Sequence, residues 1–401
     1  MNDQYFRIGT TYYKKSQYPT THDDFIEILI PWSPELIRQD EGKNSLGNVE
    51  KFDGFTCFPE NQKEFYKRRI SNYYNTYHPL SKEPKEGETL NSLKFIRHIF
   101  GDQSDLGLDY LQLLYTKPRQ ILPILCLVST ERNTGKSTFL KWLKEIFEFN
   151  LTYLTNDSFA SNFNSDWGNK LLICVDEVLF QTEVLTERIK YLSTTNQHKI
   201  EAKGKDRKEI EFFGKFILCS NNETSFIKID SNEIRFWIRK VENFSSEDVY
   251  LLSKLIAEIP AFLFYIKNRK LSSEYKSRMW FTPAQIKTEA RANLVRKNSD
   301  QLETEIAEML KALFDSIEEN DICFCLTDML NFLQKFRIKH EASDVKKILK
   351  EKWKLKSQNN SNSYKRISVT NDFGIYINDS KGRYYTISRD FFSENFDDLM
   401  N

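Results

Sequence analysis

The chain has 401 residues, with 58 lysines and arginines against 57 aspartates and glutamates, so its formal net charge is only +1. A chain of this length can form two or three domains with substantial cores. The balance of charge excludes attraction of nucleic acid by the protein as a whole, so a nucleic-acid partner would have to bind local basic patches. Aromatic residues make up 14% of the chain, enough to supply both core packing and base-stacking surfaces.

No segment of the sequence has the features of a membrane span or a secretion signal. The N-terminal residues Met1–Arg7 are polar, and the longest apolar strand, Ile121–Val128, is interrupted by Pro123 and is far too short to cross a bilayer. Cys323 and Cys325 have no second cysteine or histidine pair at ligand spacing, so we expect no zinc site. These observations predict a cytoplasmic protein with reduced thiols.

The first 80 residues mix short apolar runs with turn residues such as Asp53-Gly54. They contain no strand ending in paired acids of the kind that a primase uses to hold two metals. A polar stretch over residues 81–88 follows. From Leu90 to Tyr115 apolar residues recur at helical spacing, which predicts helices that pack against a sheet.

The next segment has the pattern of a phosphate-binding loop. The apolar strand Ile121–Val128 leads into a polar loop that ends Gly135-Lys136-Ser137-Thr138, where an amphipathic helix begins. Backbone N–H groups at a helix N-terminus hold phosphates, so we expect Lys136 to contact the β and γ phosphates of ATP and the Ser137 hydroxyl to bind Mg²⁺. The residues expected to contact ATP are Asn133, Thr134, Gly135, Lys136, Ser137 and Thr138. The first glycine usual in such loops is replaced by Thr130, and an ordinary strand-turn-helix is the alternative interpretation.

Two acids follow the next apolar run. Five consecutive apolar residues, Leu171–Val175, predict a buried parallel strand, and Asp176 and Glu177 come directly after it. Ligands of open α/β sheets bind at the carboxyl ends of the strands. We therefore expect Asp176 to hold Mg²⁺ and Glu177 to activate the water that attacks the γ phosphate. The alternative is that the acids cap the next element.

A third apolar strand, Phe216–Cys219, ends in polar residues rather than charges. Asn221 is placed to sense the γ phosphate and orient water, although asparagine also closes turns. Further on, Arg235 is our candidate for an arginine that enters a neighbouring subunit's nucleotide site, with Arg239 as the second choice. A surface arginine in an ion pair is the alternative for either residue.

The order, spacing and short span of these elements resemble superfamily 3 helicases, which are AAA+-like ring-forming ATPases of small viruses, phages and plasmids. The resemblance covers residues Tyr73–Val241 and is strongest to phage and plasmid primase-helicases. In that family a basic hairpin before the third motif tracks single-stranded DNA through the ring. The corresponding stretch here is Lys199–Lys208, and the resemblance implies DNA contacts by Lys203 and Lys205. A solvated charged loop is the alternative.

The resemblance also implies an assembly. Its members form hexameric rings, and a helical collar, here residues 81–118, helps to assemble the ring. Since we find no primase signature, a primase would be a separate partner. The implied cofactors are ATP and Mg²⁺, and the implied polymer partner is single-stranded DNA.

Beyond the arginine segment the sequence predicts more helices and a small C-terminal domain. Helical patterns cover Tyr250–Ile266 and Asp300–Phe314, then Leu326–Phe336 and a helix beginning at an N-capping Ser343. Residues Ile375–Ile377 and Tyr384–Ile387 flank a polar turn and predict a hairpin. Helices followed by a hairpin suggest a winged-helix-like α+β domain, which reads duplex DNA or docks proteins. From Lys335 to Lys356 there are nine basic and three acidic residues, which favours a phosphate-facing helix.

The predicted fold class is therefore α/β, with a P-loop AAA+-like parallel-sheet ATPase core. We divide the chain into an N-terminal mixed region (1–80), a helical collar (81–118), the core (119–245), a helical lid or linker (246–318) and the winged-helix-like domain (319–401). The function predicted from this organisation is an ATP-driven DNA helicase or translocase for replication of a mobile element. The alternatives are an ATP-dependent DNA-binding initiator or helicase loader, and a small-molecule kinase.

Overall fold

The computed structural model describes residues 4–19, 25–161, 164–180, 182–201, 208–229, 233–335, 340–369 and 374–396. The N-terminal part contains the elements β1 (Tyr5–Ile8), β2 (Thr11–Pro19), β3 (Phe25–Trp32), α1 (Pro34–Glu41), β4 (Glu50–Phe52), β5 (Gly54–Thr56), β6 (Arg69–Ile70) and β7 (Tyr73–Asn75). They form two small sheets, with strand orders β3-β2-β1-β4 and β5-β7-β6. Phe6, Phe52 and Tyr74 pack in the small core between these sheets.

Two helices follow, α2 (Leu90–Phe100) and α3 (Ser104–Thr116), as the apolar spacing predicts. Their apolar faces are buried, with Phe95 and Ile99 of α2 and Leu113 and Leu114 of α3 in the same core as the central sheet. These helices therefore form a layer on that sheet.

The central part contains β8 (Ile124–Val128), α4 (Lys136–Phe147), β9 (Leu151–Leu154), α5 (Asn156–Ala160), β10 (Leu172–Val175), α6 (Glu183–Leu192), β11 (Gln197–Ile200), β12 (Lys208–Glu211), β13 (Lys215–Ser220) and β14 (Phe236–Lys240). Five of these strands form an all-parallel sheet in the order β14-β8-β13-β10-β9. The prediction of a parallel α/β core is confirmed. Apolar clusters cover both faces of the sheet, which is why its strands are continuous apolar runs.

Because all five strands run the same way, their carboxyl ends lie at one edge of the sheet. The predicted phosphate loop follows β8 at this edge, the paired acids follow β10, and Asn221 follows β13. The strand that precedes the loop, β8, is followed in the chain by β9 on one side of it, whereas its neighbour β13 is followed by β14 on the other side, so the chain leaves β8 and β13 in opposite directions. Crevices for ligands form at such points of open sheets.

The strands β11 and β12 pair as an antiparallel hairpin separate from the central sheet. Its tip, which carries the predicted DNA contacts Lys203 and Lys205, lies outside the described residues.

Three helices follow the sheet, α7 (Leu251–Ala257), α8 (Ile259–Asn268) and α9 (Glu289–Ser316). The single helix predicted over Tyr250–Ile266 is in fact two, because Pro260 occupies the first turn of α8, where its missing N–H is tolerated. The helix predicted over Asp300–Phe314 lies within the 28-residue α9.

The C-terminal part contains β15 (Asp321–Phe324), α10 (Leu326–Lys335), α11 (Ala342–Lys347), a π-helical turn (Ile348–Lys352), β16 (Asn362–Val369), β17 (Ile375–Gly382), β18 (Tyr385–Ser388) and α12 (Arg389–Phe396). Its sheet has the strand order β17-β16-β15-β18. The helix predicted to begin at Ser343 begins one residue earlier, and Glu341 occupies the N-cap position.

The predicted hairpin between Ile375–Ile377 and Tyr384–Ile387 is wrong. The strand β17 continues to Gly382 and pairs in register with β16, whereas β18 pairs antiparallel with β15. Burial decides this pairing, because Tyr385 and Ile387 belong to the buried core of this part of the chain while Tyr376 and Ile377 are exposed. The winged-helix assignment stays a prediction.

The buried core of the C-terminal part begins at Leu302, well before the boundary predicted at residue 319. The long helix α9 serves two cores, since Leu294 in its first half packs with the central sheet and Leu302–Phe314 with the C-terminal part. Among the described residues, no helix combines the length and apolar character needed to cross a membrane.

Candidate nucleotide-binding site

The predicted phosphate loop after β8 turns tightly before α4. Asn133 and Gly135 adopt left-handed conformations with φ of 58° and 92°, and Lys136 then begins α4. Thr130, which replaces the usual first glycine, does not need a positive φ. Its backbone N–H donates to Glu223 Oε1 at 3.1 Å, so a neighbouring loop supports this position. The residues with a left-handed backbone in this loop therefore lie next to the helix, and none is needed at the start of the loop.

Lys136 is 6% exposed, and its ammonium is turned back into the loop. Its Nζ donates to Thr134 Oγ1 at 3.1 Å and approaches the Glu131 carbonyl oxygen at 3.5 Å. Burial lowers the pKa of Lys136 below its ordinary value, while nearby acids including Asp176 oppose that shift. The ammonium is thus bound to neutral oxygens that a phosphate could replace.

The loop and the paired acids meet at the edge of the sheet. The Ser137 hydroxyl donates to Asp176 Oδ2 at 3.0 Å, although the two residues are 39 positions apart in the sequence. Hydroxyl and carboxylate oxygens are ligands that Mg²⁺ prefers, usually together with waters and substrate phosphates. This pair therefore fits a magnesium ion beside the start of α4.

Glu177, the predicted water-activating residue, is exposed and has a left-handed backbone with φ of 58°. Asn156 holds this turn from the neighbouring strand end. Its Nδ2 donates to the Glu177 carbonyl at 3.2 Å, and its Oδ1 accepts from the Leu179 N–H at 3.2 Å. Strained non-glycine residues of this kind persist where the surrounding structure fixes them, often at functional sites. Sequence reasoning missed Asn156, because a single asparagine after a strand has no motif.

Asn221 lies exposed one residue beyond β13, at the same edge. The next residue, Asn222, shows the turn role that was the alternative for Asn221, since its Oδ1 accepts from the Thr224 and Ser225 N–H groups at 3.0 and 2.8 Å. The side chain of Asn221 has no hydrogen-bond partner in the part of the chain that the structure describes, which leaves its amide open to a ligand.

The two candidate arginines lie at opposite ends of strand β14. Arg235 directly precedes β14, and its carbonyl accepts from the N–H of Ile124 at the start of β8, so it is remote from Lys136 of its own chain. It donates to Glu233 at 2.8 Å. Arg239 lies near the other end of β14, at the phosphate-loop edge, and donates to Asp102 at 2.9 Å. Only Arg239 is therefore near the nucleotide site of the same chain.

The helix α2 supports the loop from outside. A ring nitrogen of His98 lies 2.9 Å from the Thr134 carbonyl, and the His98 ring stacks on Phe244 with 3.9 Å between centroids. A Cβ on Gly135 would lie 2.8 Å from the Phe244 ring, so glycine is required here for space as well as for φ. A cavity of about 900 Å³ adjoins this stack, lined by residues that include His98, Glu223, Arg239, Lys240, Lys287 and Arg296. The sequence carries no signal for a role of His98 beside this loop.

The buried Asn164 bonds to the base of the hairpin of β11 and β12. Asn164 is 2% exposed, donates through Nδ2 to the Lys199 carbonyl at 2.9 Å, and accepts through Oδ1 from the Glu201 N–H at 2.8 Å. Its Nδ2 also lies 2.7 Å from His198 Nε2. The base of the hairpin is thus held to the segment that precedes β10.

The fold and the site define a class of protein: an α/β protein whose parallel sheet carries a tight glycine-lysine loop and an acid pair at one edge. One protein-family model, a family of unknown function (DUF5906), matches residues 127–239, which include this loop, the acid pair and both arginines. The comparison with curated proteins finds no match.

Solved structures give a likeness of the whole fold. The apo structure of the NrS-1 C-terminal region (305–718) superposes with a TM-score of 0.58 and 14% identity, covering 96% of this chain and 95% of that one. The A form of the same region gives a TM-score of 0.55 and 17% identity, covering 85% and 80%. A complex of the JCV helicase gives a TM-score of 0.31 over 54% of this chain, an extent too small to define a shared fold.

Proposed function

We propose that the protein is an ATP-driven DNA helicase or translocase that acts as an oligomeric ring, of hexameric type, in the replication of a phage or plasmid. The observation that carries the proposal is the 3.0 Å contact between Ser137 and Asp176. It joins the two motifs on which the resemblance to superfamily 3 helicases rests. The fold likeness to the NrS-1 C-terminal region over nearly the whole chain is consistent with it.

In this proposal each residue at the sheet edge has one task. Backbone N–H groups of the loop, the ammonium of Lys136 and the first turn of α4 bind the triphosphate. Bound by Ser137 and Asp176, Mg²⁺ supplies charge neutralisation on the phosphate oxygens. Glu177 accepts a proton from the attacking water, and the Asn221 amide orients that water. An arginine from the adjacent protomer, Arg235 by preference, stabilises the charge that develops in the transition state.

The connection from the acids to the hairpin supports coupling of hydrolysis to movement on DNA. The chain runs from Glu177 through α6 directly into β11, so a shift of the acid turn has a short covalent path to the hairpin. At the other side of the turn, the Val178 N–H donates to the Cys219 carbonyl of β13 at 2.8 Å. In the proposal, Lys203 and Lys205 at the hairpin tip contact single-stranded DNA.

The test measures ATP hydrolysis with and without single-stranded DNA, the mass of the ATP-bound assembly, and displacement of a strand from a forked duplex. We expect DNA-stimulated hydrolysis, a ring-sized assembly and displacement. An equal rate of hydrolysis with and without DNA, in a protein that stays monomeric with ATP, would contradict the proposal.

A DNA-binding initiator or helicase loader is the second candidate, because the basic stretch Lys335–Lys356 in the C-terminal part favours duplex contact. Such a protein would bind DNA and hydrolyse ATP without displacing a strand.

A further inference from the structure

A second cavity lies between the N-terminal sheets and the end of α4. Its volume is about 460 Å³, within the range of small-molecule sites. The residues of the N-terminal part that line it include Tyr13, Glu27, Phe55, Tyr66, Arg68 and Tyr74, and Phe149 closes the cavity from the other side. None of these residues takes part in the nucleotide site.

Two stretches that alternate aromatic and basic residues meet at this cavity. The first, Tyr12–Tyr18, has two tyrosines followed by two lysines, and the second, Tyr66–Tyr74, has three consecutive basic residues between tyrosines. The first stretch lies on strand β2. Because successive side chains of a strand point to opposite faces, Tyr13 points to the cavity and Tyr18 to the opposite face. Interleaved aromatic and basic residues are the composition of surfaces that bind single-stranded nucleic acid.

The wall of the cavity is aromatic. The rings of Tyr13 and Phe55 meet edge to face at 5.5 Å, and those of Phe55 and Tyr74 at 6.1 Å. On the opposite side Phe149 packs against His78 at 5.2 Å, and burial lowers the pKa of His78 to about 4, so this imidazole is neutral at pH 7. A flat ring could enter between these walls without meeting a buried charge.

The rim of the cavity provides both a donor and an acceptor. Arg68 lies 3.6 Å from Glu27, and about 40% of each side chain is exposed. Guanidinium groups donate to the acceptor edges of bases and carboxylates accept from their amino groups. The neighbouring Lys67 and Arg69 are exposed, which would favour a phosphate backbone passing the rim.

We propose that this cavity binds a nucleobase, with the ring between the aromatic walls and its polar edge at Arg68 and Glu27. The basic residues that flank the cavity fit a single strand of nucleic acid best, and we take such a strand as the source of the base. The site is separate from the nucleotide site, because Phe149 lies beyond one end of α4 and Lys136 at the other, about 18 Å apart for a 12-residue helix. Binding of a base in this cavity requires no ATP hydrolysis.

The experiment measures binding of a fluorescent oligonucleotide by anisotropy in the absence of ATP, using the full chain with Lys136→Ala as background. We expect Tyr13→Leu and Arg68→Gln each to weaken binding by about tenfold, the scale of one lost base stack. Tyr18→Leu, on the other face of β2, and Lys311→Gln, at an exposed position of α9 with the same loss of charge, are the matched controls and should change binding far less. Thermal melting of each variant verifies its fold.

Two further arms identify what is bound. An oligonucleotide carrying 5-iododeoxyuridine should cross-link on illumination to Tyr13, Tyr66 or Phe149, and an oligonucleotide of abasic sites should bind weakly and show no effect of Tyr13→Leu. Competition by a mononucleotide at equal concentration would identify free nucleotides as the source of the base. Equal binding of abasic and normal strands, or cross-links only outside the cavity, would overturn the proposal whatever the ATPase results show.

Discussion

Glu177 combines an exposed carboxylate with a backbone conformation that costs about 1–3 kcal/mol in a non-glycine residue. The two hydrogen bonds from Asn156 hold that conformation. Replacing Asn156 by alanine removes both bonds and lets the acid turn relax, so we expect kcat for ATP to fall roughly tenfold with little change in KM. Steady-state ATPase assays measure both constants.

The neighbouring Asp157→Ala is the control, since Asp157 is exposed and makes no hydrogen bond to the acid turn. A rise in KM with an unchanged kcat in Asn156→Ala would show that Asn156 serves nucleotide binding and not the position of Glu177.

Lys215 is a buried lysine that forms no ion pair within the described ranges of the chain. It is 4% exposed, its Nζ donates to the carbonyls of Pro118 and Phe213, and burial lowers its pKa to about 7. In the unfolded chain the value is about 10.4. Between these two values the unfolded state holds a proton that the folded state lacks, so stability rises with pH across that window.

We therefore expect the free energy of unfolding of the wild type, relative to Lys215→Met, to increase by roughly 2 kcal/mol between pH 7.5 and 9.5. Chemical denaturation of both proteins at each pH gives this difference, in which the titration of other groups cancels. A difference independent of pH would mean that Lys215 is charged in the folded state.

At the scale of elements, the hairpin of β11 and β12 depends on Asn164. If the hairpin contacts DNA as proposed, Asn164→Ala should leave hydrolysis without DNA near the wild-type rate and reduce stimulation by single-stranded DNA several-fold, because the hairpin base loses the hydrogen bonds made by the Asn164 side chain. Titration of DNA into an ATPase assay measures both quantities. Loss of hydrolysis in the absence of DNA would instead assign Asn164 a role in the stability of the sheet.

The elements that sequence predicts best are those with local signals. Strands β8 and β10 are continuous apolar runs, and the glycine before α4 with the lysine that begins it marks a helix start, so the order of these elements and the edge at which the strands end follow from the pattern. Because these strands are parallel, the loop after β8 and the acids after β10 lie at the same edge of the sheet, which allows the contact of Ser137 with Asp176.

Pairings set by distant partners could not be predicted. The segments β17 and β18 look like one hairpin locally, but β18 buries Tyr385 and Ile387 only by pairing with β15, more than 60 residues earlier. The same holds for His98 and Asn164. Each is a single polar residue whose partners are determined by tertiary packing, so no spacing rule identifies them.

For the whole molecule, α9 joins two cores, and its apolar residues after position 300 serve only the second. A chain ending at residue 318 would lack most of the second core and would expose the apolar residues of α9 that belong to it: Leu302, Ile306, Leu310 and Leu313. A chain ending at residue 300 would lack these residues and would keep Asn298, which donates to the Ile227 and Ile229 carbonyls. We expect the longer truncation product to aggregate or bind a hydrophobic dye, and the shorter one to melt cooperatively. Residues 299–401 alone should also melt cooperatively, and failure of that fragment to fold would contradict two separate cores.

The central claim is that Lys136 and the acids Asp176 and Glu177 serve one magnesium nucleotide. Binding of a fluorescent ATP analogue and single-turnover hydrolysis, measured in the wild type, Lys136→Ala, Glu177→Gln and the control Lys141→Ala, test it most directly. We predict that Lys136→Ala loses binding, that Glu177→Gln binds normally but hydrolyses at least about 100-fold more slowly, and that Lys141→Ala, altered at an exposed position of α4, matches the wild type. Wild-type hydrolysis in both Lys136→Ala and Glu177→Gln would contradict the account.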